Sequence, residues 1–345
     1  MLNSIYKKFF NKTSYNLQDL LDKIESLNIK KYMSICPQNT DSNWLGILNA
    51  SNSIFPGQNI PIPQYYSNQV ISDEDLLIFI SFFKSKGGEH IILNGFPEYF
   101  LKIVELCYQN KIKCTVIYHG GLAELNQNYP RQQNMKHLFE LAKKDKIQQF
   151  GVIKKGLEVL FYQQTNVPCY QIDIPFKLPK GINTNKFNDG KIHIGIFGND
   201  SYNKNRHTQV AAASLINNSI VHFVGKDEFD YLLPPDRKVQ HEHLNYIEFL
   251  NLLGSMDVNL YCSFTESYGQ VVLESLALGV PCIHNNNSDI LYNFPELKRN
   301  LVIDEYDNIV KISEKVKNLI LNPIDLSDLR NFEYQNISKL KLLVL

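Results

Sequence analysis

Residues 261–281 read Tyr261-Cys-Ser-Phe-Thr-Glu266-Ser-Tyr-Gly269-Gln-Val-Val-Leu-Glu274-Ser-Leu-Ala-Leu-Gly279-Val-Pro281. An apolar run ending at Cys262 has the character of a buried strand. A short polar turn follows, and the spacing predicts a helix from Tyr268 to Leu278, with Gly279 at the position that ends a helix and Pro281 leading into the next strand. A strand, a tight turn and a helix start form an anion site. Backbone N–H groups around Ser267, Tyr268 and Gly269 face outward there, the helix dipole favours negative charge, and Gly269 offers no Cβ to keep a phosphate away. On that helix Glu274 follows Glu266 by about 12 Å of rise and about 80° of rotation, so both carboxylates can address one elongated ligand. Each can accept from two neighbouring hydroxyls, which suits a sugar at one and a ribose at the other.

The same strand-and-helix grammar extends in both directions. Before this stretch, Tyr32–Cys36, His90–Asn94, Lys113–His119, Gln149–Lys154 and Cys169–Ile174 read as strands, with helical spacing over Tyr99–Gln109 and Met135–Lys144. Pro175–Gly190 is polar and aperiodic, the best linker in the chain. Alternation then resumes with Ile192–Phe197, Val221–Val224, Val258–Cys262, Val280–Ile283 and Leu301–Ile303. Strands separated by helices imply parallel sheets. The expected architecture is α/β, with two Rossmann-like domains, 1–178 and 179–325, facing a central cleft, and a last helix over 326–345 packing back on the first domain. Asp41–Tyr66, rich in Asn, Ser and Pro, is expected to be a long loop.

At 345 residues the chain exceeds what one core usually holds, and its 44% apolar content is that of a globular protein. Lys+Arg and Asp+Glu balance at 35 each, so no global field favours nucleic acid. Six scattered cysteines without CxxC spacing read as buried small hydrophobes in a reducing compartment. No secretory leader or membrane-spanning run is seen, so a cytoplasmic location is expected. The basic, aromatic N-terminal segment, with Ile5, Phe9 and Phe10 against Lys7, Lys8 and Lys12, favours an ordinary helix over a peripheral membrane helix at the cytoplasmic face, the second reading staying open.

Residues 261–283 resemble the signature of glycosyltransferase family 4, the group 1 retaining transferases of GT-B fold, with its E-x7-E motif. The run Tyr246–Leu260 resembles the helix and strand that precede it there, and the likeness is specific over about 192–303. The resemblance implies that Glu266 faces the donor sugar, Glu274 the ribose, and Ser267, Tyr268 and Gly269 the diphosphate. The Gly198-Asn199 turn followed by Lys204-Asn-Arg206 occupies the place of the family's glycine turn and basic residues. Asn199 stands where an arginine is usual, so Lys204 is the first choice for the phosphate cation and Arg206 the second. Gly225, after a strand, falls where the family places the nucleobase. His119, between an apolar strand and Gly120-Gly121, resembles the histidine near the donor sugar. The first domain has Gln38–Gly46 where relatives carry a glycine-rich loop, and Trp44 there suits either sugar stacking or a core.

These residues together predict a glycosyltransferase that moves a sugar from a nucleotide-diphosphate sugar to a hydroxyl of a saccharide or lipid-linked acceptor, with retention. No metal is expected: Asp73-Glu74-Asp75 precedes an apolar run and reads as a helix start, and His241-Glu-His243 lacks further ligands. The rival enzyme readings are an inverting transferase with His119 as base, or an epimerase. A non-catalytic nucleotide- or sugar-binding protein is the rival from another class. A dinucleotide oxidoreductase is disfavoured, since no GxGxxG follows a strand.

Overall fold

Parallel strands alternate with helices in the computed structural model, which describes residues 15–27, 31–38, 45–63, 71–126, 128–242, 244–292, 294–327 and 329. In the first half β1 (Tyr32–Pro37), β2 (Asn59–Ile62), β3 (His90–Asn94), β4 (Lys113–Tyr118), β5 (Gln149–Val152) and β6 (Cys169–Gln171) form one sheet, ordered β2-β1-β3-β4-β5-β6. Every pairing in it is parallel. The helices are α1 (Leu17–Ser26), α2 (Leu45–Ile54), α3 (Asp73–Ser85), α4 (Phe100–Gln109), α5 (Tyr129–Lys143) and α6 (Leu157–Thr165). Strands β3 and β4 are buried almost throughout, as strands covered by helices on both faces must be.

No regular element falls between Gln171 and Ile192. A second sheet then takes β7 (Ile192–Ile196), β8 (Ser219–Val224), β9 (Lys238–His241), β10 (Val258–Tyr261), β11 (Cys282–Asn285) and β12 (Val302–Ile303), ordered β12-β11-β10-β7-β8-β9 and again wholly parallel. Its helices are α7 (Arg206–Ser214), α8 (Tyr246–Ser255), α9 (Gln270–Ala277), α10 (Pro295–Leu301) and α11 (Ile309–Leu321). The strand order reverses between β7 and β10. Loops leaving the carboxyl ends of those neighbours diverge, which opens the crevice where parallel sheets hold ligands.

The expected loop at 41–66 is corrected by the structure. Residues 45–54 form α2 and 59–62 form β2, an edge strand beside β1. Ala50, Ile54 and Phe55 are buried on one side, and Ile60 and Ile62 alternate inward. Tertiary burial overrides the Asn- and Ser-rich composition, and an edge strand tolerates Pro61 because one of its sides has no ladder to complete. Asp73–Asp75 do begin a helix: Ser72 Oγ accepts from Asp75 N, and Asp73 pairs with Lys102. All six cysteines are free. The N-terminal segment, Trp44, His243 and nearly all of the expected last helix lie outside the described residues.

Across β7, β8 and β9 runs a row of three imidazoles. His193 Nδ1 lies 2.8 Å from His222 Nε2, and His222 Nδ1 lies 2.9 Å from His241 Nε2, with Asp189 2.9 Å from His193 Nε2 at one end. One tautomer satisfies the row: each Nε2–H donates and each Nδ1 accepts, ending on the Asp189 carboxylate. Burial, then His241 and His193, hold the His222 pKa down to about 3, and burial lowers His90 and His284 to about 4. A histidine whose folded pKa is depressed binds its proton in the unfolded chain first. Its stability contribution is therefore full above about pH 6.5 and is lost as pH falls toward the folded value. We expect each of these histidines to remove about 2 kcal/mol between pH 6.5 and pH 5. Urea midpoints at pH 7.5 and 5.0 check this. The midpoint should drop at pH 5.0, and less so in His222→Gln.

Candidate active site

The predicted helix begins two residues late, at Gln270, because Gly269 takes the left-handed φ of 89° and serves as the cap residue of α9. No side chain caps that start. A Cβ at Gly269 would be strained there and would sit 3.0 Å from Ser288 Oγ, so the turn is built for glycine. The positive end of α9 therefore opens into the crevice at the reversal of the strand order, as an anion site requires.

Two loops converge on it. Lys204 follows β7 and Glu266 follows β10, and the adjacency of those strands brings their side chains together: Lys204 Nζ is 2.6 Å from Glu266 Oε1 and 2.8 Å from Tyr261 Oη. Phe264 N donates to Asn203 O at 2.7 Å, tying the loops backbone to backbone. Glu266 is 8% exposed and Tyr261 6%, so the pair sits in a largely dry place. Burial works against the Lys204 charge, but Tyr261 and Glu266 outweigh it and raise the lysine pKa above its ordinary value. Gly198 lies under this arrangement, its Cα facing the Lys204 side chain so closely that a Cβ would stand 3.0 Å from the lysine Cβ.

Glu274 lies one turn into α9, 3% exposed. Its Oε1 accepts from Tyr246 Oη at 2.8 Å, and Tyr246 is the first residue of α8, positioned by the Asn245–Glu248 capping box. Burial lifts the Glu274 pKa to about 8 although the Tyr246 hydrogen bond pulls the other way. The carboxyl is thus held mostly protonated near neutral pH, a group that both donates to and accepts from hydroxyls. Tyr246 and Tyr261 escaped the sequence reading. Each touches its carboxylate or lysine only once the chain is folded, although Tyr246 stands directly after a capping-box signal.

Other predicted residues fall into place differently. The Arg206 guanidinium is spent inside the protein: it pairs with Asp200, donates to Val224 O and Lys226 O at 3.1 Å, and lies 5.0 Å over the Phe229 ring. The structure does not bring it to the Lys204–Glu266 pair. Asp200 in turn packs on Gly225, whose φ of 89° and lack of Cβ admit the carboxylate. Asn199 Oδ1 accepts from Ser201 N at 3.2 Å and from Ser201 Oγ, organising its own loop. The Tyr268 side chain leaves the crevice and bonds the backbone of Ile174, with Ile174 N donating to its oxygen at 3.2 Å. From the first domain, His119 reaches Asn94 Oδ1 at 3.3 Å, and Asn94 continues to Ser34 Oγ at 2.7 Å. Burial lowers the His119 pKa to about 3, so the ring is neutral. Its neighbour Gly121 faces the Glu266–Ser267 backbone, where a Cβ would stand 3.7 Å from Glu266 O, placing the His119 turn across the crevice from Glu266 and Ser267.

Residues 179–336 match the family model "Glycosyl transferases group 1". That stretch, which holds Lys204, Glu266 and α9, is a group 1 glycosyltransferase domain. The chain is similar in fold to Alr3699/HepE of Anabaena, solved with UDP and glucose, at TM-score 0.67 and 11% identity over 91% of this chain and 98% of that one. A glycosyltransferase of Rickettsia africae superposes at TM-score 0.63 and 12% identity over 92% and 96% of the two chains. Sucrose-phosphate synthase of Thermosynechococcus elongatus does so at 0.60 and 15% over 95% and 88%. The fold is therefore GT-B, two Rossmann-like domains with parallel sheets. No curated protein matches the chain in sequence. Among the described residues no helix is long and apolar enough to cross a membrane.

Removing one partner of a buried ion pair strands the other charge. Lys204→Met is expected to cost about 3 kcal/mol of unfolding free energy, and Lys204→Met with Glu266→Leu much less. Urea denaturation of the two variants measures it. A single variant as stable as the double would contradict the buried pairing.

Proposed function

We propose that the protein is a retaining transferase of the family 4 type, moving a hexosyl group from a nucleotide-diphosphate sugar to a hydroxyl of a saccharide or lipid-linked acceptor. The observation that carries this reading is the Lys204–Glu266 ion pair beside the uncapped start of α9, in the crevice where the strand order reverses. An ammonium has three N–H donors; two are directed at Glu266 and Tyr261, and the third serves a donor phosphate oxygen. Backbone N–H groups of Ser267, Tyr268 and Gly269 take the remaining diphosphate charge. The second oxygen of Glu266 orients sugar hydroxyls, and Glu274 holds the ribose. That a similar fold was solved with UDP and glucose supports a nucleotide-sugar donor.

In the reaction, the acceptor oxygen forms its bond to the anomeric carbon as the bond from that carbon to the phosphate oxygen breaks. The acceptor proton passes to the departing phosphate on the same face, so no separate base is required. Lys204 and the dipole of α9 stabilise the negative charge that grows on the leaving group, the kind of fixed electrostatic help that outweighs most others. These groups supply the positive charge without a metal. Gly198, Asn199 and Gly225 shape the donor's surroundings, and Arg206 acts from behind by fixing Asp200 against Gly225. We place the enzyme in the cytoplasm.

The anomeric configuration of the product, read by NMR from the coupling at the new linkage, tests this. Retention, with rates unchanged by EDTA, is the expected result. An inverted product would transfer the chemistry to a base across the crevice, with His119 the residue in place for it. In the same assay Glu274→Ala should raise the donor KM tenfold or more while a folded Tm shows the protein intact. An unchanged KM would remove Glu274 from the donor site.

A further inference from the structure

A chain of side-chain hydrogen bonds runs from the exposed Asn52 of α2 inward to His119. Asn59 Nδ2 donates to Asn52 Oδ1 at 2.9 Å and to Cys36 Sγ at 3.2 Å, which uses both amide hydrogens. Its Oδ1 accepts from the Ser34 hydroxyl at 2.9 Å. That hydroxyl has one hydrogen, so toward Asn94 it can only accept, and Asn94 Nδ2 donates to it at 2.7 Å. The Asn94 oxygen is what remains for His119, whose Nε2 lies 3.3 Å away and must therefore carry the hydrogen. Ser34 and Asn94 are fully buried on the adjacent strands β1 and β3, where each link fixes the direction of the next.

We propose that Asn94 is a positioning residue for sugar transfer: it fixes the Nε2–H tautomer of His119, so that the ring offers Nδ1 to a hydroxyl of the transferred sugar. The inference rests on the reading of the crevice as the donor-sugar site. A neutral imidazole has one N–H, so with the hydrogen on Nε2 the other nitrogen is an acceptor. Nδ1 bonds no group among the described residues and is not closed off from solvent, and the turn that carries the ring faces Glu266 and Ser267. The nature of the partner matters too. Where a histidine works as a general base, a carboxylate behind the ring stabilises the imidazolium that forms. Behind His119 stands a neutral amide, itself held by Ser34 and Asn59, so the ring is kept as a hydrogen-bond acceptor and is not driven to take up a proton. Ser34 acts through Asn94, because without its oxygen the Asn94 amide is free to turn over and present nitrogen to the ring.

The test joins 15N NMR of the full chain labelled in histidine, with His119 assigned by His119→Gln, to UDP release from UDP-glucose, for wild type, Asn94→Leu and Ser34→Ala. In wild type at pH 7.5 His119 should show the Nε2–H pattern alone. Both variants should show the two tautomers in exchange, lose tenfold or more in kcat, and keep the wild-type Kd for UDP, whose proposed contacts lie in the second domain. Ser34→Ala removes only a hydroxyl and so decides the matter should Asn94→Leu fail to fold. An Nδ1–H ring or an imidazolium in wild type reverses the chain and overturns the proposal. Variants with a lowered Tm but the wild-type tautomer and kcat make Asn94 a structural residue, which also overturns it. A wild type that neither binds UDP nor releases it from UDP-glucose contradicts the transferase reading, and the role of Asn94 falls with it even where the tautomer is the one expected.

Discussion

The ammonium of Lys204 is held between a carboxylate and a phenol that come from a neighbouring strand's end. That contact depends on β7 and β10 lying side by side, and on nothing local: 62 residues separate Lys204 from Glu266. The parallel crossovers that reverse the strand order at this point bring the two loops together, and the backbone bond from Phe264 to Asn203 keeps them so. The start of α9, the turn at Gly269 and the approach of Gly121 from the other domain are all arranged around the same spot.

A buried ion pair is seldom the most stable way to fill space; well-packed apolar side chains of equal volume usually do as well or better. Its presence here is better explained by what it leaves ready. A lysine positioned by Glu266 and Tyr261 has a fixed direction, so in the role proposed for it little reorganisation is needed when a diphosphate arrives. Glu274 is the counterpart. Burial pushes its pKa to about 8, and Tyr246 limits the cost with one hydrogen bond. Glu266 is thus paired with Lys204 while Glu274 is kept largely neutral by its surroundings, and the two sit eight residues apart on one strand–turn–helix unit.

That unit is also why so much was legible in the sequence. Glu266, Gly269 and Glu274 belong to contiguous residues whose spacing has direct geometric meaning, and the strand runs His90–Asn94 and Lys113–Tyr118 are continuous apolar segments bounded by turns. What failed to show depended on contacts distant in the chain. The 45–62 region hides α2 and β2 because Asn, Ser, Gly and Pro interrupt its apolar residues, which are covered only by β1 and the second domain in the folded chain. Tyr246 and Tyr261 carry no motif, and become site residues only by facing Glu274 and Lys204. Arg206 illustrates the converse: a basic residue beside a glycine turn invites a phosphate role, whereas Asp200 and two carbonyls occupy it.

In the proposed reading Lys204, fixed by Glu266 at the start of α9, is the cation for a donor diphosphate. Titration of UDP into wild type and Lys204→Ala, at low and at high salt, tests it most directly. Lys204→Ala should lose at least tenfold in affinity, about 1.4 kcal/mol, and show a weaker salt dependence. UDP binding of equal strength and equal salt dependence in both proteins would contradict it.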